Sequence, residues 1–159
     1  MYDVLEVCRH VINYSNTKKY SISNLKLQKL LYFIQAYFLI ASPNKEPCFR
    51  QKIEAWDFGP VVPEAYSEYK QYGSVSILPI RYYHLNAWSN KYKSMPIEYK
   101  DDEISDADKK LIDKVIEHFK MYSATDLVAI THNQKPWQEA YERRDNREIT
   151  VEEIRKYFE

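Results

Sequence analysis

Leu25-Lys26-Leu27-Gln28-Lys29-Leu30-Leu31-Tyr32-Phe33-Ile34-Gln35-Ala36-Tyr37-Phe38-Leu39-Ile40 is the stretch on which the fold turns. Leu27, Leu30, Leu31, Ile34 and Phe38 recur at helical spacing and make one apolar stripe. Tyr32, Phe33, Tyr37 and Leu39 cover much of the remaining circumference. A helix apolar nearly all round packs on several sides at once, so this segment is expected to be the spine of the core. Ser21 or Ser23 can cap its start, and the two prolines between Ser42 and Pro47 end it. Lys18, Lys19, Lys26 and Lys29 are read as a solvated face beside it.

On the N-terminal side, Val4, Val7, Cys8, Val11 and Ile12 mark one face of a helix over residues 3–15. On the C-terminal side, Phe49 to Phe58 partly alternates, which suggests a short strand. Gly59-Pro60 reads as a turn, and Pro63 suits the first turn of a helix carrying Ala65, Tyr66, Tyr69 and Tyr72 that stops at Gly73. From Ser74 to about Glu103 the pattern weakens into a long connection with room for a hairpin. Val75, Ile77 and Ile80 hint at an extended segment there, and Tyr82, Tyr83, Trp88 and Tyr92 are scattered among polar residues. Ser105 with Asp108 approximates a capping box before Leu111, Ile112, Val115, Ile116 and Phe119. Ser123 with Asp126, Pro136, and Thr150 with Glu153 open three further helical turns. The expectation is one domain over residues 1–159, mainly α with minor β: six or seven helices and a few short strands.

Composition narrows the function. The 23 basic and 23 acidic residues cancel, whereas phosphate contacts ask a nucleic-acid binder for a basic surplus. Cys8 and Cys48 form no Cys-x-x-Cys pair and no His flanks them at ligand spacing, so neither a zinc site nor a disulfide scaffold is expected. The N-terminus has no signal-peptide pattern, and the longest apolar run, Leu30 to Ala41, is too short to span a bilayer. A cytoplasmic location is expected. Glycine occurs only at 59 and 73, so no glycine-rich loop can cradle a phosphate. Asp57-Phe58-Gly59 spells the kinase magnesium tripeptide without any companion kinase motif. The four His, at 10, 84, 118 and 132, build no catalytic signature. No enzyme activity, metal or cofactor is expected. The 15 Tyr stand out; an apolar ring with a polar tip suits the rim of a core or an interface.

Three stretches in register carry a resemblance: Leu25 to Phe33; then Ile53-Glu54-Ala55-Trp56 with Phe58-Gly59-Pro60-Val61-Val62-Pro63 and Tyr66; then Leu127-Val128, Thr131-His132 and Pro136-Trp137. Together they resemble the Panacea domain, the family of SocA-like antitoxins and phage-associated GepA-like proteins, over nearly the whole chain. The resemblance implies a compact helical domain that binds and neutralises a toxin encoded next door. Delivery of a client to an ATP-dependent protease is the alternative it implies, and a role as a phage-associated regulator a further one. Ala36-Tyr37 stands where relatives often have Gly before an aromatic residue. The candidate protein-binding residues are Trp56, Phe58, Gly59, Pro60, Val61, Tyr66, Tyr69, His132 and Trp137. The apolar ones would suit a core equally well, and the helix carrying Tyr66 and Tyr69 is expected to keep some of its tyrosine hydroxyls in water.

Overall fold

A computed structural model describes residues 1–84, 96–98, 103–144 and 147–159, with the backbone alone at 82–84 and 96–98. Its helices are α1 (Val4–Thr17), α2 (Asn24–Ala41), α3 (Pro63–Tyr69), α4 (Asp106–Phe119), α5 (Ala124–His132), α6 (Lys135–Glu142) and α7 (Val151–Phe158). Its strands are β1 (Ile53–Trp56), β2 (Gly59–Val61), β3 (Tyr82–His84), β4 (Pro96–Glu98) and β5 (Glu148–Ile149). Among the described residues, β2, β1 and β5 form a three-stranded sheet in that order, and β3 pairs with β4 in a separate antiparallel ladder. The chain is therefore mainly α with minor β. The pairing of β3 with β4 supplies the hairpin expected in the connection, while Trp88 and Tyr92 lie outside the described residues.

The spine reading of α2 holds. Ser23 is its cap, its hydroxyl accepting the Lys26 N–H at 3.2 Å. Leu27, Leu30, Leu31, Tyr32, Ile34 and Leu39 are all essentially inaccessible to solvent, and α2 packs against α1, α3, α4, α5, α7 and β2. The expectation for its lysines fails. Lys26 is buried and Lys29 completely so, because the spine is enclosed on the faces that charge alone would assign to water.

The polar residues of α2 take hold of chain that has no helix of its own. Gln35 accepts the N–H of Cys48 at 2.8 Å and of Phe49 at 3.2 Å, and donates to the Phe49 carbonyl at 3.0 Å. Gln28 accepts the Val62 N–H at 3.0 Å. Lys29 donates to the Pro60 carbonyl at 2.9 Å. Buried irregular backbone needs such partners, and one helix supplies them on both sides of β1.

The tyrosines find a second use along α4. Tyr2 donates to Asp108 at 2.5 Å, Tyr14 and Tyr20 both donate to Glu117 at 2.7 and 2.8 Å, and His10 pairs with Asp113 at 2.7 Å. The acidic stripe of α4 is thus answered by hydroxyls and an imidazole from the first twenty residues. This also corrects the reading of the α4 start. Ser105 does accept the Asp108 N–H, but the Asp108 carboxylate turns to Tyr2, and the Tyr2 oxygen accepts the Ser105 N–H at 3.2 Å. Full capping boxes form at Ser123 with Asp126 and at Thr150 with Glu153.

Ile77 is buried, its N–H bonded to the Ile22 carbonyl at 2.8 Å. Asn13 brackets Ile80, donating to its carbonyl at 2.8 Å and accepting its N–H at 2.6 Å. The segment expected to be extended is therefore tied down by one backbone bond and by the Asn13 side chain rather than by a sheet.

Candidate functional site: a hairpin held by its carbonyls

β1 and β2 pair in the register Glu54 with Val61, Ala55 with Pro60 and Trp56 with Gly59, leaving Asp57 and Phe58 as a two-residue tip. The turn is thus one pair earlier than the Gly-Pro motif suggests, and Gly59-Pro60 belongs to β2. A proline within a sheet needs a position where its missing N–H breaks no ladder bond. Pro60 lies on β2, an outer strand of its sheet, and turns its carbonyl to Lys29.

Three side chains from three helices grip consecutive parts of this hairpin through its backbone. Trp137 donates its indole N–H to the Trp56 carbonyl at 2.9 Å. His132 Nε2 lies 3.0 Å from the Asp57 carbonyl, which can only accept, so this nitrogen carries the proton. Lys29 holds Pro60 from beneath. The rings of His132, Trp137 and Tyr141 form a stack, with centroids 4.0 and 4.7 Å apart in succession. Tyr141 closes it by donating to the Asp57 carboxylate at 2.5 Å, which pushes the phenol pKa upward. The Arg147 guanidinium lies 4.6 Å from the centre of the Tyr141 ring, within cation–π range.

Gly59 is where the grip is tightest. Its φ is +104°, and a Cβ there would come within 2.7 Å of Lys29 Cε and 2.8 Å of Thr131 Oγ1. Thr131 cannot yield easily, because its hydroxyl is engaged with the Leu127 and Val128 carbonyls, both at 3.0 Å. The glycine lets the strand approach α2 and α5 closely.

Lys29 is unusual electrostatically. Burial pulls its pKa down from 10.5 to about 7; among the described residues no carboxylate is paired with it. Below about pH 7 the amine is protonated whether the chain is folded or not. Between about 7 and 10.5 the folded chain has released the proton and the unfolded chain keeps it, so Lys29 makes stability rise with pH across that window. The limiting slope is about 1.4 kcal/mol per pH unit. Lys29→Met should remove this contribution. Denaturant unfolding of wild type and variant at several pH values from 6 to 9 should give a difference that grows with pH. Parallel curves would mean that the amine is solvated in the folded state.

The structure sorts the candidate residues. Gly59, Pro60 and Val61 are buried and form the strand that is held. His132 and Trp137, half-buried, do the holding. Tyr69 is only 6% exposed and joins the core, so it is not one of the tyrosines that α3 keeps in water; α3 packs against α1 and α2. Trp56 is half-buried, Tyr66 is 36% exposed, and Phe58 at the tip is 67% exposed. Trp56 and Tyr66 meet edge to face at 5.0 Å. With Phe58, they line a groove of about 400 Å³ together with Gln28 and Val61. Glu54, Asp57 and Arg147 also line it; Glu54 stands in a motif stretch, but the sequence marks none of the three as a site residue. Asp57 stood in view only as part of a chance tripeptide.

Among the described residues, no three His, Cys, Asp or Glu side chains come together as a metal site. Cys8 and Cys48 are buried free thiols, and burial pushes both thiol pKa values up, away from reactive thiolates. Among the described residues, no helix is long and apolar enough to cross a membrane.

The gripped hairpin is assembled from the three motif stretches, and comparison with known proteins places it in a family. A family model, "Antitoxin SocA-like, Panacea domain", matches residues 27–138, which include Lys29, the hairpin, Thr131, His132 and Trp137. The chain belongs to this SocA-like Panacea family. It is 34% identical over 119 residues to Antitoxin SocA of Caulobacter vibrioides (strain NA1000 / CB15N), an alignment covering 73% of this chain and 58% of that protein. The chain thus matches a little over half the length of that curated relative. No solved structure matches significantly.

Proposed function

We propose that the chain is a cytoplasmic antitoxin that neutralises a co-encoded toxin by binding it directly, through the hairpin face, and catalyses no reaction. Membership of the SocA-like family supports the antitoxin role. The observation that carries the direct-binding reading is the state of the hairpin tip. Its backbone is fixed by Lys29, His132 and Trp137, yet it presents Phe58 at 67% exposure beside Trp56 and Tyr66. Large rings on a fixed backbone lose little freedom on binding, and aromatic residues anchor protein interfaces. No feature of the fold favours delivery to a protease over simple neutralisation.

Co-expression with each protein encoded in an adjacent reading frame tests this. Growth should be restored against one of them, and a complex of the two chains should be recovered by affinity capture. Phe58→Ala should weaken that complex while leaving the melting temperature nearly unchanged, since the ring buries little in the free chain. Persistent toxicity with no complex, for every neighbour tried, would overturn the reading.

A further inference from the structure

The groove beside the hairpin tip combines two features that a purely apolar anchor site would lack. Trp56, Phe58 and Tyr66 give it aromatic walls, and Glu54 and Asp57 bring carboxylates to the same walls. Each carboxylate uses one oxygen on the scaffold: Glu54 Oε2 accepts the Trp56 indole N–H at 2.8 Å, and Asp57 Oδ1 accepts the Tyr141 hydroxyl. A carboxylate accepts at both oxygens, so each retains capacity for a further donor. Among the described residues, Arg147 is the one cation in the lining and already lies over Tyr141, so the two described carboxylates against one guanidinium make this lining anionic. Faces of aromatic rings are themselves electron-rich and attract cations. Rings and carboxylates thus select the same kind of guest.

We propose that this groove receives an arginine side chain of the protein partner, its guanidinium set against the Trp56, Phe58 and Tyr66 rings and bonded to the Glu54 and Asp57 carboxylates. The charge complementarity identifies a basic guest. Arginine fits better than lysine, because a planar guanidinium can stack on a ring and at the same time fork its N–H groups to carboxylates. The inference rests on the reading of the hairpin face as the partner-binding surface, and it names the chemistry that the partner must bring.

The test has two arms. In the first, the isotope-labelled full chain is titrated with N-acetyl-arginine amide and with N-acetyl-citrulline amide, which has nearly the same shape without the charge. The arginine compound should shift the Trp56 indole N–H and the backbone amides of Phe58 and Tyr66 saturably, and the citrulline compound at least about tenfold more weakly. Phe58→Ala and Glu54→Gln should each weaken the response, and the glutamine can still accept the Trp56 indole bond. Equal response to both compounds, or no shift at the hairpin, overturns the proposal. In the second arm, the complex with the co-encoded partner is measured over a salt series. Glu54→Gln should weaken it about tenfold at low salt and flatten its salt dependence. An intact complex indifferent to Glu54→Gln overturns the arginine assignment and leaves the antitoxin reading standing. Failure to form any complex overturns the antitoxin reading, and the first arm still decides the chemistry of the groove.

Discussion

Gly59→Ala is expected to destabilise the chain by about 2–6 kcal/mol, far more than one methyl group ordinarily costs. Two penalties combine. At φ +104° an L side chain is strained, at about 1–3 kcal/mol. The new Cβ also enters occupied space, 2.7 Å from Lys29 Cε and 2.8 Å from Thr131 Oγ1, and overpacking costs about 1–3 kcal/mol. Lys29 could retreat only by giving up the Pro60 carbonyl in a fully buried site. Gly73→Ala separates the two penalties. Gly73 also has positive φ, +57°, but a Cβ there meets nothing within 4 Å, so its variant reports strain alone. Chemical denaturation should rank wild type above Gly73→Ala, and Gly73→Ala above Gly59→Ala. Equal losses at the two glycines would show that the strand has room to withdraw from α2.

Leu30→Ala is the second large effect, about 2–5 kcal/mol. Leu30 is 1% exposed on a helix packed by neighbours on several sides. A helix surrounded in this way cannot shift toward one neighbour without leaving another, so the cavity should persist rather than collapse. The denaturation midpoint should fall with an unchanged slope, the sign of lost stability rather than a less compact native state. An unmoved midpoint would mean that α2 can repack.

Helix positions were legible in the sequence because each depends on neighbours in the chain. Ser23 at the head of α2, Ser123 with Asp126, and Thr150 with Glu153 are local devices, and they cap the helices they appear to cap. The seeds of α1, α4 and α7 are likewise set by periodicity. Lys29 shows where this reasoning stops. A lysine beside leucines reads as a solvated edge of the stripe, and only the arrival of Pro60 at its amine gives the buried position a purpose. Gly59-Pro60 reads as a turn because both residues favour turns, whereas the register with β1 draws them into a strand. A helix carrying several tyrosines is expected to keep some hydroxyls in water, but the sequence does not say which; α3 turns Tyr69 inward and leaves Tyr66 at the surface. Of the site, the aromatic part was legible and the charged part was not. Glu54 and Arg147 reach one groove from distant parts of the chain, and no local pattern announces such an arrangement.

The hairpin is fastened at the Trp56, Asp57 and Pro60 carbonyls, and a carbonyl is the same atom whatever side chain follows it. Attachment therefore falls on the backbone, and the recognition proposed for this face falls on side chains. Positions 54, 58 and 66 can exchange residues without loosening a single one of these fastenings, so a substitution that ruins the contact proposed for one partner leaves a folded chain open to selection for another. Lys29, Gly59, Thr131, His132 and Trp137 have no such liberty. The fold is in this respect a tool holder: the jaws are fixed, and the bit can be changed one residue at a time.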